Sequence, residues 1–135
     1  MIKLFTAPLI PVSWGELIDK ITILEIKQIN ITSVSSLSNI KKELDYLNQI
    51  LNKNHEIIEL IKLFKQQLLD VNKCLWNVED EIREKDLKQE FDQNFIELAR
   101  KVYRLNDERA NLKKSINQFL NSELLEEKSY KNFHN

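Results

Sequence analysis

Apolar residues recur along this chain with a helical period almost from end to end. The clearest run is Ile57, Ile61, Phe64, Leu68, Val71, Leu75, Val78 and Ile82, with spacings that alternate between four and three. That spacing marks a helical seam of about four heptads. The seam lapses between Glu84 and Glu90, where the chain is predicted to turn. It resumes at Phe91, Phe95, Leu98, Val102, Leu105, Leu112, Ile116 and Phe119, with Arg109 filling the position between the last two leucines. Two long helices joined by a short turn form an antiparallel hairpin. Upstream, Leu37, Ile40, Leu44, Leu47 and Leu51 predict a shorter helix over 37–52, capped by Ser36 or Ser38. Another short helix is predicted over 14–31. Ser13-Trp14-Gly15-Glu16 has the S-x-x-E spacing of a capping box in front of it. Leu17, Ile18, Ile21 and Leu24 form one apolar face of this helix, while Ile23 and Ile26 lie nearly opposite. Cover on two sides is therefore expected. Pro8 and Pro11 exclude helix from residues 1–12, which read as an extended arm. Residues 122–135 read as a polar tail, with Leu124, Leu125, Tyr130 and Phe133 as anchors. The fold class is all-α: a helical bundle on a long hairpin, with two shorter helices, in one domain.

Composition agrees with that pattern. One glycine and two prolines in 135 residues leave little material for the turns a sheet needs. Twenty basic residues stand against twenty-one acidic ones, so nothing draws the whole chain to nucleic acid or to an anionic membrane. Neither is expected as a partner. The apolar stretch from Leu4 to Val12 is broken by its prolines and does not read as a signal peptide. A single cysteine, Cys74, cannot form an internal disulfide, which fits a cytoplasmic setting. No His/Cys pair has metal-ligand spacing, and no glycine-rich phosphate loop is present. No metal and no cofactor are expected.

What remains is polar residues at positions where the pattern asks for apolar ones. Arg109 is the sharpest case. Its seam position points it into the bundle, where an unpaired charge would be costly, so a carboxylate partner is expected, Glu25 or Glu79 first. One reading is a structural ion pair that fixes helix register. The other is an anion pocket in which Arg109, Arg83 and Lys113 hold a carboxylate or phosphate. Asn72 and Asn106 are predicted to lie level across the hairpin. Arg100, Tyr103 and Asp107 share a second stripe with Ile96, Ala99 and Ala110, and Trp76 and Asp80 lie off the seam in the same manner. That stripe suits either packing within the bundle or a dimer surface.

Four blocks carry a resemblance. They are Pro11-Val12-Ser13 with Gly15-Glu16-Leu17-Ile18-Asp19-Lys20-Ile21-Thr22-Ile23-Leu24; Leu75-Trp76 with Glu79-Asp80 and Ile82-Arg83; Leu98-Ala99-Arg100 with Val102-Tyr103, Asn106-Asp107 and Arg109-Ala110; and Glu126-Glu127-Lys128-Ser129-Tyr130. Through them the chain resembles a family of small bacterial proteins defined only as a domain of unknown function. The resemblance spans nearly the whole chain, apart from the second helix and the start of the third. It implies a stand-alone cytoplasmic protein and supplies no activity. It adds weight to Asp19, Lys20, Asp80, Arg83, Tyr103, Asp107 and Arg109 as candidate ligand-binding residues. Two functions follow. The first is a protein-interaction or scaffold protein, as a homodimer or on another protein. The second is a binder of a small anionic molecule or a cofactor-free enzyme, with Asp19 or Asp80 handling a proton. A concave pocket lined by Arg83 and Arg109 would favour the second. A flat stripe through Trp76 and Tyr103 would favour the first.

Overall fold

A computed structural model describes residues 2–129. Its regular structure is entirely helical: α1 (Trp14–Asn30), α2 (Val34–Asn52), α3 (His55–Leu60), α4 (Lys62–Leu87) and α5 (Gln93–Phe119). Residues 2–12 carry no regular structure, and Leu9 within them is 95% exposed. Tyr130, Phe133 and His134 lie outside the described residues.

Three helices, α1, α2 and α5, begin where a side chain satisfies a free amide, while α3 and α4 start without a side-chain cap. The Ser13 hydroxyl accepts from the Glu16 amide at 3.1 Å and starts α1. Ser33 caps α2, three residues earlier than the apolar pattern predicts. Ser33, on extended backbone, accepts from the Ser36 amide at 3.5 Å and so starts the helix ahead of its first apolar seam residue, Leu37. Asp92 caps α5 through the Phe95 amide at 2.9 Å. The hairpin turn closes on Gln89, whose φ of 56° is left-handed, while the Glu90 amide donates to the Lys85 carbonyl at 2.9 Å. Lys85 then reaches forward to Asp92 at 3.0 Å and ties the two sides of the turn together.

The predicted third helix is divided in the structure. Ile61, with φ −102° and ψ 3°, leaves helical geometry for one residue and separates α3 from α4. Ile61 is also fully buried in the core, beside Leu51 and Leu68. A spacing pattern records positions and is blind to a change of direction that loses none of them. That is why the seam passed through the break intact.

α4 and α5, each about 40 Å long at 1.5 Å per residue, pack along one another. α1 packs against both, and α2 packs on α1 and α3 rather than along the hairpin. α1 is therefore covered on two sides, by α2 and by the hairpin, within a single chain. Its buried residues, including Leu17, Ile18, Ile21, Leu24 and Ile26, surround the helix. The core lies at one end of the molecule. No residue from 79 to 112 is buried, so the distal half of the hairpin carries only a half-covered seam. Among the described residues no helix is long and apolar enough to cross a membrane.

Candidate functional site: a cleft above a buried ion-pair layer

α1 and α5 approach unusually closely at Gly15. A Cβ there would stand 2.5 Å from the Lys113 carbonyl oxygen and 2.9 Å from Asn117 Oδ1. Only glycine fits such an approach. The Gly15 amide donates to Asn117 Oδ1 at 2.7 Å, and the Trp14 amide to Ser122 Oγ at 3.3 Å. This contact sets the register of α1 on α5, and the register brings four charged residues together.

Asp19 is the buried centre of the group, 1% exposed. Arg109 grips it with two hydrogen bonds, Nε to Oδ1 at 2.9 Å and Nη2 to Oδ2. Such a fork matches a carboxylate better than any point charge can. Asn72 Nδ2 donates to the same carboxylate at 3.0 Å and to Thr22 Oγ1 at 2.9 Å, and the Thr22 hydroxyl donates to the Asp19 carbonyl at 2.8 Å. Lys113, also buried, lies 2.7 Å from Glu16, 2.7 Å from Glu126 and 3.9 Å from Asp19. Glu16 thus serves Lys113, while the predicted capping box keeps its Ser13 half. Burial opposes the charge on Lys113, but the Glu126 and Glu16 carboxylates outweigh it and raise the pKa above the ordinary lysine value. The fork to Asp19 raises that of Arg109. Lys113 and Lys128 lower that of Glu126.

Arg109 therefore has a carboxylate partner, as its seam position requires, but the partner is Asp19 rather than Glu25 or Glu79. Glu25 pairs with Lys65 at 2.9 Å and Glu79 with Arg83 at 3.6 Å. Arg109 is only partly covered: its side chain is 29% exposed. The exposed part opens into a cleft of about 480 Å³. Ile26, Asn72 and Leu75 are the buried residues of its lining, and Arg109 and Asn106 are half-buried beside them. Ile23, Ile26, Leu75 and Trp76 supply the apolar walls, and Glu79, Asp80 and Arg83 stand at the rim.

Of the candidate residues, the structure gathers Asp80, Arg83 and Arg109 around this cleft, with Asp19 directly beneath Arg109. Both Asp19 carboxylate oxygens are engaged by Arg109, so it positions the guanidinium. Lys20 is exposed and pairs with Glu43 of α2 at 3.6 Å, apart from the cleft. Tyr103 and Asp107 lie on α5 and do not line it. Lys113, expected beside Arg109 and Arg83 in an anion pocket, does not line the cleft and is taken up by Glu16 and Glu126, whereas Asn72, Asn106 and Trp76 line it without having been placed in one site by the sequence. Within the segment 122–135 that reads as a polar tail, the Glu126 carboxylate joins Lys113 to Lys128, at 2.7 and 2.6 Å. Leu124 and Leu125, read as anchors, are exposed. Nothing in the spacing announces the Gly15–Asn117 contact.

These features define a small helical protein with a buried arginine–carboxylate layer beneath an open, partly apolar cleft. The chain belongs to the family of unknown function DUF6165, whose model matches residues 9–134. Searches of the curated proteins and of the solved structures return no match.

Proposed function

We propose that the cleft binds a small molecule with an anionic group and an apolar body. The observation that carries this reading is the lining itself. A guanidinium held by a buried carboxylate presents its remaining N–H groups to a concave space walled by Trp76, Ile23 and Ile26. A fixed, partly desolvated guanidinium attracts a carboxylate or phosphate far more strongly than a solvated one, and apolar walls add affinity for the rest of the ligand. The concave form of this surface favours ligand binding over the flat-stripe alternative. The expected setting is the cytoplasm, in line with the lone exposed thiol of Cys74. A thermal-shift series of aromatic and branched-chain carboxylates and phosphates tests the proposal, because a ligand of the folded state raises the melting temperature. At least one such anion should raise it, and Trp76→Ala should abolish the rise. No shift across the series, or a shift that survives Trp76→Ala, would rule the cleft out.

A second reading, pairing with another copy through the hairpin, draws support from the bare distal half. Leu87, Phe91, Ile96 and Tyr103 are exposed there. Over 79–87, α4 carries five acids against two bases; over 95–104, α5 carries one acid against three bases. The pairs Glu79–Arg83, Glu84–Lys88 and Glu97–Arg100 are each local, three or four residues apart, and do not cross between the helices. A two-fold arrangement would set the acidic stretch of one copy against the basic stretch of the other and extend the seam into a coiled-coil-like four-helix bundle. The two faces of α1 no longer support a dimer, since the chain covers both itself.

A further inference from the structure

We infer that the cleft's ligand is a zwitterion of the α-amino-acid type with an apolar side chain. This rests on the reading of the cleft as an anion-binding site and refines it through the hydrogen-bonding groups left over. The Asn72 amide nitrogen faces the Asp19 carboxylate, which can only accept. It also faces Thr22 Oγ1, whose proton is already donated to the Asp19 carbonyl. The amide is thereby fixed with nitrogen inward, and its oxygen has no partner among the described residues. Asn106 is fixed in the same way, since its Nδ2 donates to the Val102 carbonyl at 3.0 Å. Asp80 at the rim likewise has no hydrogen-bond or ion-pair partner among the described residues. The cleft therefore presents Arg109 as its inner donor, with Arg83 paired to Glu79 at the rim, against two oriented amide oxygens and the Asp80 carboxylate. A simple anion would satisfy the donor and leave these acceptors facing its negative charge. An ammonium group beside the anion satisfies both kinds of group. Trp76 and Ile26 are left for an apolar side chain, and about 480 Å³ accommodates a single amino acid.

The test compares three molecules of one shape: phenylalanine, 3-phenylpropionate and phenethylamine, with leucine, 4-methylpentanoate and isopentylamine as a second series. Dissociation constants are measured by calorimetry on the intact chain. The amino acid should bind at least tenfold tighter than both its deaminated acid and its decarboxylated amine in at least one series. Asp80→Asn, an exposed substitution with no contact to lose, should weaken the amino acid several-fold and leave the acid unchanged or tighter. If acid and amino acid bind equally, the zwitterion is wrong and the anion site stands. If the amine binds best, or nothing in either series binds, both fall. Amino-acid binding that Asp80→Asn and Asn106→Ala each leave unaltered would also overturn the assignment, because the ammonium would then be held elsewhere.

Discussion

Gly15 is the residue on which the geometry of the charged layer depends. Its missing Cβ lets α1 lie against the Lys113 carbonyl, and that contact brings Asp19 to Arg109 and Glu16 to Lys113. Gly15→Ala must push the helices apart or strain one of them. The cost should be about 2–3 kcal/mol, the upper part of the range for overpacked interiors. Urea denaturation measures it, and a loss under about 0.5 kcal/mol, the range of an ordinary surface change, would show that the approach can relax. Arg109 tests the layer from the other side. Breaking a buried pair by removing one partner costs about 3–5 kcal/mol. Arg109 is partly exposed, and Asp19 would keep Asn72 and a distant Lys113, so about 2–3 kcal/mol is expected for Arg109→Ala. Combining it with Asp19→Asn should recover part of that loss, since no buried charge is then left unpaired. A double variant less stable than Arg109→Ala would mean that Asp19 is held by something other than charge pairing.

At the level of elements, the apolar periodicity made the helices legible, and the polar contacts between them much less so. The seam residues predicted the hairpin, and its turn falls where the seam lapses, because burying a stripe requires the same spacing wherever the partner lies. Arg109 was legible as an inward-facing cation that needs a carboxylate for the same reason, although it is only partly covered. Its partner was not, since pairing depends on how α1 sits on α5, and that is decided by the absence of an atom at Gly15. The C-terminal segment shows the other limit. Glu123, Glu126, Glu127 and Lys128 look alike in sequence, yet Glu126 alone among them reaches Lys113 and pins residues 120–129 to α5. This has a consequence for pH. Lys113 and then Lys128 depress the folded pKa of Glu126, so the unfolded chain takes up its proton first as pH falls. The stabilisation is complete above the ordinary glutamate range and is lost as pH drops through the lowered folded value. Glu126→Gln should therefore reduce stability at neutral pH, with the difference from the parent shrinking on acidification. Glu126 is half-buried at the surface, its side chain 30% exposed, so the neutral-pH effect should be modest, about 1 kcal/mol. A difference that grows as the pH falls would contradict the pairing.

Across the whole molecule, burial is concentrated at one end and the cleft lies where it runs out. Val78 is the last buried residue of α4 before the turn, and Lys113 the first of α5 after it. A helix such as α4 is continuous in its hydrogen bonds, but its stability need not be uniform, because amide protection follows the packing around each turn. Hydrogen exchange in dilute solution should show slow amides over 62–78 and markedly faster ones over 83–100. The same measurement addresses assembly. If two copies pair through their distal hairpins, raising the protein concentration should slow exchange over 83–100 and leave 62–78 nearly unchanged. Sedimentation should shift from monomer to dimer over the same range. Arg100→Glu with Arg104→Glu would remove the basic stretch that faces the acidic one and should abolish both effects without unfolding the core. A zwitterion or anion in the cleft should instead slow exchange locally, around Trp76 to Arg83 and Asn106 to Arg109, at any protein concentration. Two patterns, one set by concentration and one by ligand, would assign the hairpin tip to assembly and the cleft to recognition. Uniform protection along both helices, independent of either, would mean that the hairpin is stable without a partner, and the dimer reading would fall.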